Sequence, residues 1–137
     1  MAASLDDILT TQKNGVIAIN NLAQYLLGIS TFMKGASLSS GSAGTGTYGT
    51  LYTVPANKQV AISDIEICNT GSTAATFYVS LVPSGGTAGA SNALFYNAPI
   101  PPYTTVQWTG LQALGAGATV QAYASTSNVT ILVSGNP

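Results

Sequence analysis

The run KQVAISDIEIC, residues 58–68, decides the fold. Val60 and Ile62 fall on one side of an extended chain, and so do Ile65 and Ile67. Strict alternation sets these two pairs on opposite faces. One extra residue at Ser63 or Asp64, a β-bulge, brings all four to a single buried face. The run ends in Asn69-Thr70-Gly71-Ser72, a cluster of turn-forming residues. Phe77, Val79 and Leu81 then alternate with Tyr78 and Ser80, the pattern of a second half-buried strand.

Working outward, short β patterns recur at 50–54, 94–97, 104–109, 120–124 and 129–133. They are separated by Pro55-Ala56-Asn57, the glycine-rich 83–91, the prolines at 99, 101 and 102, and Ser125-Thr126-Ser127-Asn128. Residues 111–117 read as a loop whose leucines, Leu111 and Leu114, plug an open edge. Seven or eight short strands at regular spacing predict a mainly β domain over 50–137, an antiparallel β-sandwich or jelly roll. The expected core is Val60, Ile62, Ile65, Ile67, Phe77, Val79, Leu81, Val106, Trp108, Val120, Ile131 and Val133.

Before this domain the pattern changes period. Residues 1–34 read as an N-terminal α-helix for anchoring and oligomerisation. Ser4 and Asp7 are spaced as a capping pair, and Asp6 and Asp7 sit where a helix dipole favours negative charge. Leu5, Leu9, Gln12, Val16, Ile19, Ala23, Leu26, Ser30 and Met33 recur at alternating three- and four-residue intervals, the seam of a coiled coil. Gln12 is a polar member of that seam, a position that fixes register and strand number at a cost in stability. Ile8, Ile17, Leu22, Leu27, Ile29 and Phe32 lie off the seam. The apolar surface is therefore wider than one interface, which fits a three-helix bundle or a groove in another protein, with packing on the chain's own β domain as the plainer alternative. Gly15 and Gly28 each cost about 1 kcal/mol in a helix interior. Residues 35–49, GASLSSGSAGTGTYG, read as a flexible linker by composition.

Composition narrows the function. Of 137 residues only 5% are charged, where an ordinary domain carries about 25%. Net charge is −1, so self-repulsion is weak and association is favoured. The chain has no His and no Arg, and its three cations are Lys13, Lys34 and Lys58. Three scattered lysines cannot neutralise a run of phosphates, so nucleic acid is not expected as a partner. Without His, serine triads and His-dependent zinc sites are excluded. Asp64 and Glu66 point to one strand face and read as solvated; paired-carboxylate catalysis or a weak calcium site with the carbonyls of 69–71 are the sharper alternatives. No catalytic residue, metal site or cofactor is expected. Cys68, the sole cysteine, cannot form an internal disulfide. The N-terminus does not read as a signal peptide, and no apolar run of about 18 residues is present to enter a membrane. The tyrosines at 48, 52, 78, 96, 103 and 123, with Trp108, could include a sugar-stacking platform, though strand aromatics are more often packing.

The run LYTVPANKQVAISDIEICNTGSTAATFYVSLVPSGG and the closing TILVSGNP resemble a domain of tailed-bacteriophage virion proteins. Thr53, Val54, Pro55, Cys68, Asn69, Thr70, Gly71, Val82, Pro83, Ser84 and Gly85 carry the match. SLDDILTTQKNGVIAINNLAQYL resembles an anchor segment that begins phage structural proteins. The resemblance implies a homotrimeric virion component: a capsid decoration or head fibre, or alternatively a tail or collar fibre that binds carbohydrate or the host surface. Its expected partners are sister chains, other virion proteins of capsid, collar or tail, and a weak surface glycan. The resemblance supplies no catalytic or ligand residue.

Overall fold

The computed structural model describes residues 4–27, 32–41 and 46–136, and within the helix the side chains as far as Asn20. The chain forms two compact units, Met1–Ser30 and Thr31–Pro137.

The first unit contains helix α1 (Leu5–Leu27). Its start follows the local chemistry. The Asp7 amide donates to Ser4 Oγ at 3.1 Å, and the Ser4 amide donates to Asp7 Oδ2 at 3.4 Å. This reciprocal pair satisfies donors that a helix N-terminus otherwise leaves unpaired.

The second unit is mainly β, its described residues forming eight strands in two antiparallel four-stranded sheets. They are β1 (Phe32–Ser37), β2 (Gly49–Thr53), β3 (Val60–Asn69), β4 (Ala75–Val82), β5 (Ala93–Ile100), β6 (Thr105–Leu114), β7 (Thr119–Ala124) and β8 (Val129–Asn136). One sheet has the order β1-β8-β3-β6 and the other β2-β7-β4-β5. Inward residues of both sheets form one apolar cluster, with Ile62, Ile65, Ile67, Phe77, Val79, Val120, Ile131 and Val133 at its centre. The bulge expected in β3 is present: register shifts between Ile62 and Asp64 against both β6 and β8. Ser63 is the extra residue against β8, and its hydroxyl donates to the Ser134 carbonyl at 3.4 Å. Val60, Ile62, Ile65 and Ile67 are all buried as a result. Leu81, Val106 and Trp108, expected in the core, are only partly buried against it.

Two boundaries differ from the sequence reading. The helical segment does not reach residue 34, because α1 ends at Leu27 and Phe32–Ser37 is a strand. The linker expected over 35–49 is not free at 35–40 either, and its residues 42–45 lie outside the described residues. Gly35, Ala36 and Ser37 pair with Leu132, Ile131 and Thr130 of β8. Leu38 is buried, and Ser40 bridges Ala124. Two contacts outweigh the flexible composition. Phe32 stacks on Tyr52 with ring centroids 4.0 Å apart, and the β1–β8 ladder satisfies the backbone. Phe32→Ala is expected to lower the stability of the β unit by about 2–3 kcal/mol. A urea titration checks this; an unchanged midpoint would restore the linker reading. Residues 111–114 are likewise strand rather than loop. β6 runs to Leu114, which is buried, while Leu111 points to solvent.

The outer face of β4 is also covered. Tyr78 and Tyr123 are buried and stacked at 4.3 Å, with Tyr48 edge-on to Tyr123 at 4.8 Å. Gly46 lies flat against the Tyr123 ring, where a Cβ would overlap it. Burial pushes the Tyr48 phenol above its ordinary value, partly offset by a hydrogen bond with Ser80, and burial does the same for Tyr52.

Candidate interaction surface

Among the described residues, helix α1 carries the longest run of exposed apolar side chains. Every side chain from Ser4 to Asn20 is exposed. Leu5, Ile8, Leu9, Val16, Ile17 and Ile19 are 45–72% exposed. Most helices in proteins draw their stability from packing an apolar face, and Gly15 weakens this one further. Its 23 residues therefore gain little from packing among the described side chains.

Leu5, Leu9, Gln12, Val16 and Ile19 lie along α1 with the expected spacing. Ala23 and Leu26 fall within its backbone, but their side chains lie outside the described residues, as does Ser30. Met33 does not belong to this seam. It sits in β1 opposite Ser134, 68% exposed. The heptad frame ran on through it because its spacing fits, whereas the chain turns into the sheet from Phe32. Gln12 places an amide in the middle of the stripe, so in an associated helix it would stand in an apolar layer. Gln12→Leu is expected to raise the melting temperature of an assembled helix while broadening its strand number. Native mass spectrometry with thermal melting checks both effects.

The other candidates are dispersed. Asp64 and Glu66 share the outer face of β3, and Gln107 Nε2 reaches both carboxylates at 3.3–3.4 Å. This is a solvated hydrogen-bonded surface with no cleft between the acids. The turn at 69–71 is committed to internal bonds: Asn69 Oδ1 accepts from the Gly71 amide at 2.9 Å, and the Gly71 carbonyl accepts from Tyr103. Among the described residues, no group of three or more potential metal ligands occurs. Cys68 is a free thiol, half-buried between Thr105 and Thr130. The seven aromatics do not form one platform, since Tyr78 and Tyr123 are buried while Tyr96 and Tyr103 are exposed. Among the described residues, no helix is long and apolar enough to cross a membrane.

The residue that sequence reading least distinguished is Tyr103. It is 74% exposed and holds φ +53°, a left-handed conformation rare for an aromatic side chain. The prolines before it signalled a turn but not this geometry.

No protein-family model, curated protein or solved structure matches the chain.

Proposed function

We propose that this chain is a non-enzymatic structural component of a phage virion, a homotrimer anchored by α1 that displays its β domain as a capsid decoration or short head fibre. The observation that carries the reading is the exposed apolar stripe of α1, which needs a partner. Sister helices meet that need on the seam formed by Leu5, Leu9, Val16 and Ile19. Each such side chain contributes about 1.5–3 kcal/mol when fully buried. Ile8 and Ile17 lie off the seam and remain for a second contact, with a neighbouring virion protein.

The sheet orders support the finer fold assignment. β1-β8-β3-β6 against β2-β7-β4-β5 is the strand order of an eight-stranded jelly roll, an architecture used in viral capsid and lectin domains. Fold alone does not specify function, so the virion assignment rests on the helix, the low charge and the sequence resemblance. Gradient-purified particles of the encoding phage test it. Mass spectrometry should find the chain in a copy number divisible by three, and antibodies to the β domain should label intact particles. Particles lacking the chain would contradict the assignment.

A further inference from the structure

We propose that the end of the β domain carrying Tyr103 is a binding surface for neutral carbohydrate. It deepens the virion reading by giving the displayed domain a ligand class, and it rests on that reading only for avidity. The topology sets the location. The chain enters the β unit at Phe32, which pairs with Gly135, and β1 runs away from that end until Ser37 pairs with Thr130. Asn69 pairs with Val129, Cys68 with Thr105, and Phe77 with Ala124. The β3–β4, β5–β6 and β7–β8 turns therefore meet at the end opposite the entry point.

These turns are knitted together. The Thr70 amide and hydroxyl both donate to the Asn128 carbonyl, at 3.0 and 2.7 Å. The Tyr103 amide donates to the Gly71 carbonyl at 3.3 Å, and the Asn69 amide donates to the Thr104 carbonyl at 2.9 Å. Such a surface is organised before binding, so little ordering entropy is lost when a ligand arrives. Backbone strain concentrates at functional sites, and here it holds an exposed aromatic ring in the left-handed region.

The chemistry of the surface selects the ligand. Residues 70–74, 101–104 and 125–128 contain no charged side chain, so nothing there would favour a phosphate, a sialylated glycan or an acidic peptide. Tyr103 offers an aromatic face. Ser72, Thr73, Ser127 and Asn128, exposed on the other two turns, offer neutral donors and acceptors at the same end of the domain. An exposed aromatic face on an uncharged surface rich in hydroxyls and amides complements a neutral sugar, whose C–H face stacks while its hydroxyls exchange hydrogen bonds.

The test uses the full-length protein and saturation-transfer NMR with maltohexaose, cellohexaose and laminarihexaose, and with sialyllactose as the charged control. At least one neutral probe should bind, and sialyllactose should not. Tyr103→Phe keeps the ring and should hold the dissociation constant within about twofold. Tyr103→Ala should weaken it at least about tenfold. Tyr103→Gly relieves the backbone strain, so it should stay folded while losing the same affinity. The mass of each sample is measured alongside, so a failure of assembly is read separately from a failure of binding. No transfer to any neutral probe, or equal transfer with Tyr103→Ala, would overturn the proposal. Preferential binding of sialyllactose would overturn it as well.

Discussion

Replacing Val16 and Ile19 together with Asp should convert the assembled protein to single chains. The two side chains are 55% and 66% exposed in the isolated chain, and both lie on the proposed seam. Their loss removes on the order of 5 kcal/mol of burial per chain. The introduced carboxylates would also have to be desolvated beside one another, so the seam cannot re-form around them. Helical circular dichroism should fall with the mass, because α1 has little packing of its own. The melting midpoint of the β domain should stay where it is, because these residues belong to the separate unit Met1–Ser30. A double variant that keeps both its mass and its helicity would remove the seam as the contact.

The second large effect is expected at Asn69, a buried polar side chain in the β domain. Its amide nitrogen donates to the Thr73 carbonyl at 2.8 Å and to the Ile100 carbonyl at 3.3 Å, while its oxygen accepts from Gly71. One side chain therefore closes the β3–β4 turn and ties it to the end of β5. Asn69→Ala deletes all three bonds and leaves their partners poorly satisfied, at a cost of about 3 kcal/mol. For a unit of this size, that lowers the melting temperature by on the order of 10–20 °C. Asn69→Asp should be worse, since a carboxylate cannot donate and would face two carbonyl oxygens. Thermal denaturation of both variants decides the matter. A change below about 0.5 kcal/mol would mean that the turn closes without Asn69.

The strands with a buried face were legible because burial imposes a period. The bulge at Ser63 could be placed because four β-branched residues had to share one side of β3. The cap of α1 was legible because Ser4 and Asp7 are local partners. β1 was not, for a physical reason. As an edge strand it buries little beyond Phe32, so FMKGAS shows no alternation, and its partner β8 lies almost a hundred residues away. The same applies to the second half of β6, where Leu111 faces solvent. Tyr78 reads as a solvent-facing residue by alternation, yet it is buried, stacked on Tyr123 and edge-on to Tyr96. For the candidate surfaces, the helix was visible in the spacing of Leu5, Leu9, Val16 and Ile19, which the structure places along α1. The conformation of Tyr103 was invisible, because it depends on three turns meeting at one end of the domain.

In the proposed virion role, α1 and not the β domain drives assembly. The absolute mass in solution of the full chain, and of a chain beginning at Thr31 that retains β1, decides this. The full chain should show three times its 13.8 kDa, and the shortened chain should be monomeric and folded. A monomeric full chain, or a shortened chain that remains trimeric, would contradict the claim.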